Sequence, residues 1–284
     1  SKYAKMNSIR LHIGVEPRFM TLIQRSFPDI NMIAVERKHR GPHQNAVDIN
    51  NSSVPLLPNQ KLYYIFDHAM WETRNEFDFF MALPMVVRDI YAMEKGFKAK
   101  GFALTPDNSL VKKYSERMRA ISNKPKVGIS WRSGITTQNR SIHYTSIDEW
   151  GPIFEIGDKV DFINLQYDDA ARELDKVKEL FGVNVYSLPD VDLYNDFESL
   201  VAIMVNLKAV IAPSSVTAEL SGAAGCTTLN MINSAEGLWR RDKSGRDIFH
   251  KCMHVITPNN FGDKKSLIYN TSNELKKLIG LPSS

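Results

Sequence analysis

Three apolar runs in the second half of the sequence each end in side chains that can bind an anion or a nucleotide base. The first run, VGISWRSG at residues 127–134, begins apolar and ends in polar and small residues that include Ser130, Arg132 and Gly134. Hydroxyl groups, a guanidinium group and exposed backbone N–H groups are donors that proteins offer to phosphate. An ordinary turn with a surface arginine would have the same composition, and the two interpretations are about equally supported.

The second run, FINLQYD at residues 162–168, ends in Gln166 and Tyr167. An amide and an aromatic ring at that position could hold a nucleotide base. A polar cap on the following helix is an equally good interpretation of either residue.

The third run, AVIAPSSVTAELSGAAG at residues 209–225, predicts a strand, a turn and a helix of small residues. Ser214 and Ser215 suit the start of that helix, where unpaired N–H groups and the positive end of the helix dipole attract a diphosphate. Thr217 and Glu219 follow in its first turns. We expect these four residues to contact a nucleotide ligand, and Gly225 to terminate the helix.

Glu219 lies one turn beyond Ser215 and on roughly the same face of the predicted helix. Its carboxylate could accept hydrogen bonds from a ribose diol. The alternative is that Glu219 only complements the helix dipole and has no part in binding.

A metal site is a weaker possibility. His250, Cys252 and His254 alternate along the chain and would share one face of a strand. A usual zinc site needs a further ligand at a defined spacing, so we expect no metal and no other cofactor. The sequence contains no P-loop and no GxGxxG motif.

The elements that must position these residues are short β-branched strands that alternate with amphipathic helices. This alternation predicts an α/β fold with mostly parallel sheets. The segment SNKP at residues 122–125 is the best domain boundary. We therefore expect an N-terminal Rossmann-like domain over residues 1–122 and a C-terminal, nucleotide-binding domain over residues 123–284.

The composition agrees with a globular protein that binds a small anion. The chain has 284 residues, of which 43% are hydrophobic and 24% charged, with a formal net charge of +4. That charge is too small for a nucleic-acid partner, and no apolar run is long enough for a transmembrane segment. The two cysteines form no disulfide framework, which indicates a cytoplasmic protein.

The order of several motifs resembles the catalytic region of bacterial tetratricopeptide-repeat glycosyltransferases, related to the lipopolysaccharide heptosyltransferases and more distantly to O-GlcNAc transferase. The motifs are residues 15–18, 25–28, 77–78, 83–84, 126–134, 150–152, 162–167, 210–227 and 239–240. Together they extend over most of the chain.

This resemblance implies a GT-B fold, in which two Rossmann-like domains face a cleft. It implies transfer of a sugar, without a metal, from a donor such as a UDP-, GDP- or ADP-sugar. The acceptor, which the N-terminal domain would bind, could be a glycan, a lipid-linked molecule or a protein. By motif, the donor contacts should include Ser130, Arg132, Gln166, Ser214 and Ser215.

Two departures from the family pattern bear on activity. Relatives carry Asp-Thr and then a His in the helix motif, where this chain has Ser214, Ser215 and Glu219. Relatives also carry a Gly-Leu-Gly-Asp-like loop after a first strand, and we expect the N-terminal domain to lack that first βα unit. The catalytic base is therefore not identified. The alternative function is a nucleotide-sugar-binding module without turnover.

Overall fold

The computed structural model describes residues 8–37, 62–65, 76–79, 103–133 and 141–282. The chain divides into two compact units, Ser1–Lys98 and Ala99–Ser284. Each unit has its own parallel sheet.

The described part of the first unit is a three-stranded parallel sheet with one helix. Its strands, in sheet order, are β1 (His12–Val15), β2 (Asn31–Arg37) and β3 (Leu62–Ile65). After β1, the 3-10 turn Pro17–Phe19 leads into helix α1, Met20–Ser26. Met20 packs with Met32 and Ala34 of β2 in a small apolar core.

The second unit is built on six parallel strands in the order β6-β5-β4-β7-β8-β9. The strands are β4 (Lys126–Ile129), β5 (Asp161–Asn164), β6 (Val185–Tyr186), β7 (Ala209–Pro213), β8 (Thr228–Met231) and β9 (Met253–Ile256). All residues of β4, β5, β7, β8 and β9 are buried. The α/β prediction with mostly parallel sheets is confirmed.

The helices of the second unit connect and cover these strands. They are α2 (Asn108–Ile121), α3 (Gly151–Phe154), α4 (Ala171–Phe181), α5 (Phe197–Met204), α6 (Val216–Ala223) and α7 (Lys264–Leu278). Two 3-10 turns, Ile147–Glu149 and Ala235–Arg240, precede α3 and follow β8. Helices α3 and α7 were not predicted from the sequence.

Helix α2 belongs to the second unit, although the sequence boundary at residues 122–125 placed it in the first. It packs against α5, where Asn206 Nδ2 donates to the carbonyl oxygen of Val111 at 3.0 Å. Upstream of α2, the amides of Ala103 and Leu104 donate to the carbonyl of Ala223 at 2.8 and 2.9 Å. Because these bonds attach residues 103–121 to the larger sheet, the compact units divide between Lys98 and Ala99.

Strand β4 lies in close contact with its neighbours at Gly128. A Cβ atom at this position would lie 2.5 Å from Leu165 Cδ1 and 2.6 Å from Leu207 Cδ1. We expect Gly128→Val to lower the free energy of unfolding by about 1–3 kcal/mol, because the core has no room for the added methyl groups. Urea denaturation of the whole chain measures this change.

The control for this prediction is the double variant with Leu207→Ala, which makes space beside residue 128. The destabilisation of the double variant should be smaller than the sum of the two single effects. Strict additivity would show that the contact at Leu207 does not limit the side chain at position 128.

Candidate functional site

The three polar strand ends that the sequence singles out lie at the same edge of the six-stranded sheet. They follow β5, β4 and β7, which are adjacent parallel strands. The chain order reverses beside β4, since β5 and β6 lie on one side of it and β7 on the other. In open parallel sheets, ligands bind outside the carboxyl ends of the strands at such a reversal. This edge is therefore the candidate site.

Ser130 and Gln166 join the ends of β4 and β5 by internal hydrogen bonds. Ser130 Oγ donates to Gln166 Oε1 at 3.1 Å, and the Trp131 amide donates to the same oxygen at 3.2 Å. The Ser130 amide also donates to the carbonyl of Ile211 in β7 at 2.9 Å. Both side chains are buried. Their observed contacts therefore hold the sheet edge together.

Arg132 lies between two acidic side chains. Its guanidinium group forms ion pairs with Asp168, in the segment after β5, and with Glu173 in the first turn of α4. Burial by itself would lower the pKa of Arg132, but the hydrogen bond to Glu173 and the charges of both carboxylates raise it. The side chain is 20% exposed, so a charged guanidinium reaches the surface at this edge.

Asp168 and Glu173 are functional candidates that the sequence analysis missed. Gln166 Nε2 donates to Asp168 Oδ1 at 2.7 Å, and Trp131 Nε1 donates to Glu173 Oε1 at 2.8 Å. The available signal was the position of these acids in the sequence. They follow Gln166 by two and seven residues, after the strand next to the one that leads to Arg132.

The start of helix α6 has the features expected of an anion site. Ser214 is exposed, and Ser215 is the N-cap residue with an extended backbone, φ −153° and ψ 171°. The Ser215 side chain makes no capping hydrogen bond, and its Oγ is buried without a partner among the described residues. Thr217, in the first turn, is buried. A buried hydroxyl beside unpaired helix N–H groups is available to a ligand.

Two glycines shape the end and the packing of α6, and the first of them agrees with the sequence prediction. Gly225 has φ +83° and follows the C-cap residue Ala224, as expected for a terminating glycine. At Gly222, a Cβ atom would lie 2.8 Å from Met253 Cε and 2.9 Å from the His250 ring. The small residue therefore lets α6 lie close to the segment that contains His250.

Glu219 takes part in a charged cluster with Arg240 and His250. Both of its oxygens accept from the Arg240 guanidinium, and Oε2 lies 3.3 Å from His250 Nε2. Arg240 Nε also donates to the buried Asp247 at 2.7 Å. Burial by itself would raise the pKa of Glu219, but His250 and Arg240 outweigh it and lower the pKa to about 2.

The remaining sequence candidates lie apart or outside the described residues. Gly134 is outside them. His254 Nδ1 lies 2.7 Å from Glu274 Oε1, and Cys252 Sγ donates to the carbonyl of Gly222 at 3.3 Å, so these two side chains and His250 face different partners. Across the described ranges, no three His, Cys, Asp or Glu side chains are grouped as metal ligands. No helix in those ranges could span a membrane.

Comparison with known sequences gives one informative relative. No protein-family model matches the chain. Over 232 residues, the chain is 26% identical to Protein FlbA of Caulobacter vibrioides, a match that covers 81% of this chain and 35% of FlbA. The chain therefore corresponds to about a third of that relative's length.

Two solved structures of glycosyltransferases match this chain to different degrees. The crystal structure of a glycosyl transferase family 9 protein from Veillonella parvula matches with a TM-score of 0.61 at 10% identity, covering 95% of this chain and 88% of that one. Escherichia coli ADP-heptose heptosyltransferase II matches with a TM-score of 0.43 at 13% identity, covering 62% of this chain and 53% of that one. The first of these likenesses shows a shared fold.

The N-cap residues of α6 and α5 should differ in how much they stabilise the fold, because Ser215 makes no capping hydrogen bond and Asp196 does. We expect Ser215→Ala to leave the free energy of unfolding nearly unchanged, because no capping bond is lost. Asp196 caps α5 by accepting from the Ser199 amide at 2.9 Å, so Asp196→Ala should lower that free energy by about 0.5–2 kcal/mol. Urea denaturation compares the two variants, and an equal loss in both would show that Ser215 does cap α6.

The Glu219 cluster predicts a pH-dependent contribution to stability. The folded-state pKa of Glu219 lies near 2, below the ordinary 4.5, so its stabilising effect is present above pH 4.5 and is lost as the pH falls toward 2. At pH 7, Glu219→Gln should lower the melting temperature by about 2–4 °C. This effect is modest because the Glu219 side chain is 41% exposed and solvent screens its ion pair.

Melting curves between pH 7 and pH 2 test this prediction. The gap between wild type and Glu219→Gln should close as the pH falls through that window. Glu155, which is 63% exposed and pairs with Lys276 at 3.2 Å, provides the matched control Glu155→Gln. If the difference in melting temperature between wild type and Glu219→Gln stayed constant with pH, the charge of Glu219 would not be its cause.

Proposed function

We propose that this chain is the catalytic region of a glycosyltransferase that moves a sugar from a nucleotide-sugar donor to an acceptor. The observation that carries the proposal is the convergence at one sheet edge of Arg132, the end of β5 and the start of α6. These groups flank the reversal of strand order, where ligands of parallel sheets bind.

The proposed chemistry is stabilisation of the leaving phosphates by fixed donors. Ser214, Ser215 and the first amides of α6 would hold the diphosphate, and Arg132 would contribute a charged donor. Donors that are already in place offset the charge that develops on a leaving group, and they require no metal to do so. Gln166 would contribute its side-chain amide nitrogen as a further donor to the ligand. In the structure this nitrogen donates to Asp168.

The fold and the cysteines support further parts of the proposal. The likeness to a glycosyl transferase family 9 protein supports glycosyl transfer, and the two units would be the Rossmann-like domains of a GT-B enzyme. We also propose the relation to tetratricopeptide-repeat enzymes and to O-GlcNAc transferase, with a glycan, lipid-linked or protein acceptor. Cys226 and Cys252 are unpaired thiols, which favours a cytoplasmic location.

The second candidate is a nucleotide-sugar-binding module without turnover. It is favoured by the ion pairs at this edge, since Asp168 and Glu173 pair with Arg132, and Glu219 pairs with Arg240. A carboxylate that is paired with a guanidinium must break this ion pair before it can accept a proton from an acceptor. Binding would then persist although these three acids are held in ion pairs.

A nucleotide panel tests the binding step that both candidates share. We expect UDP, GDP or ADP, or one of their sugars, to raise the melting temperature of wild type. Arg132→Ala should weaken that binding by roughly tenfold or more in calorimetry, because a charge-assisted hydrogen bond is lost. Ser215→Ala should also weaken it without a loss of stability.

The control is Arg117→Ala. Arg117 forms a two-bond ion pair with Asp190, at 2.7 and 2.8 Å, on helix α2. Its removal should leave nucleotide affinity unchanged. Release of free nucleotide from a bound nucleotide sugar would distinguish the enzyme from the binding module. No response to any nucleotide would refute both.

A further inference from the structure

The Asp168 carboxylate occupies the space between two of the proposed ligand contacts. Its Oδ2 accepts from Arg132 Nη1, and its Oδ1 accepts from Gln166 Nε2 at 2.7 Å. Each oxygen of one carboxylate therefore receives a donor from a different strand end. A phosphate group likewise presents two or more oxygens to neighbouring donors, so it could accept the same two hydrogen bonds.

The two acids that hold Arg132 differ in how firmly they are anchored. Glu173 is part of helix α4 and also accepts from the buried Trp131 indole at 2.8 Å. Asp168 lies in the segment between β5 and α4, outside both elements, and its side chain is 26% exposed. A rotation of the Asp168 side chain would release both donors without moving a helix or a strand.

The charges of this group oppose a ligand that leaves Asp168 in place. One guanidinium faces two carboxylates, so Arg132, Asp168 and Glu173 together carry a net charge of about −1 at neutral pH. A phosphate added to this group would be repelled by both acids. If the phosphate replaces Asp168, the guanidinium keeps two anionic partners and the repulsion between Asp168 and the phosphate is reduced.

We propose that the Asp168 carboxylate is an internal competitor for a phosphate site formed by Arg132 and Gln166, and that a nucleotide phosphate displaces it on binding. This inference rests on the proposed nucleotide binding at the same edge. Asp168 thereby compensates the charge of Arg132 in the empty site and lowers the affinity for phosphate. Glu173 is the positioning residue that keeps the guanidinium in place when Asp168 leaves.

The test compares the affinity of wild type, Asp168→Asn and Asp168→Ala for UDP, GDP and ADP by calorimetry. Both variants remove the competing charge, so each should bind the responsive nucleotide more tightly, by roughly fivefold or more. The nucleosides uridine, guanosine and adenosine lack phosphate, and their binding should be unchanged. Calorimetry with pyrophosphate alone shows whether the site binds free phosphate groups or also needs the nucleoside.

Two further variants separate competition at Arg132 from a general change of charge. In the Arg132→Ala background, Asp168→Asn should give no gain, because the shared donor is missing. Asp158→Asn makes the same chemical change near the other end of β5, where Asp158 pairs with Lys159 at 2.8 Å, and should leave affinity unchanged. Melting curves check that each variant is folded.

The outcomes distinguish this inference from the proposed function. The proposal that Asp168 competes with phosphate is supported if both Asp168 variants bind nucleotide more tightly and if this gain disappears in the Arg132→Ala background. If wild type binds nucleotide but both Asp168 variants bind it equally or more weakly, the competition by Asp168 is refuted. The proposal of nucleotide binding then still stands. A gain that persists in the Arg132→Ala background also refutes the competition by Asp168. Absence of binding in wild type and in both variants overturns the two proposals together.

Discussion

Strand β4 hydrogen-bonds to β5 on one side and to β7 on the other, and the candidate site follows from this placement. The chain continues from β4 to β5 on one side and later returns to form β7 on the other side. Because the three strands are parallel, the segments that follow them lie at the same edge of the sheet. The absence of a side chain at Gly128 permits the close contact with Leu165 and Leu207. Strand β4 leads to Arg132 and pairs with β7, which leads to α6. This pairing therefore places Arg132 and the start of α6 at the same edge of the sheet.

Local sequence was sufficient for the elements that contain the site. The apolar runs that became β4, β5 and β7 are continuous because these strands are buried on both faces. Helix α6 was recognisable because serine precedes it and Gly225 follows it. The meeting of three strand ends also followed from sequence, since parallel strands place their carboxyl ends at one edge.

The contacts within the site depend on tertiary pairing and were not accessible to the same reasoning. Arg132 and Glu173 are 41 residues apart, and Glu219 and Arg240 are 21 residues apart. Helix α7 was missed for a related reason. Its buried face includes Thr271 and Ser272, which donate to the carbonyls of Leu267 and Pro152, so its apolar period is interrupted. Polar residues with buried partners do not show a hydrophobic pattern.

The cluster around Arg240 constrains how this sequence can diverge. Asp247 has no exposed side-chain surface, and its carboxylate accepts from Arg240 and from the amides of Phe249 and His250. Replacing Arg240 alone would leave a buried carboxylate without this cation, which is strongly destabilising. Positions 219, 240 and 247 should therefore covary among homologues, and a lineage that loses the arginine should first have neutralised Asp247.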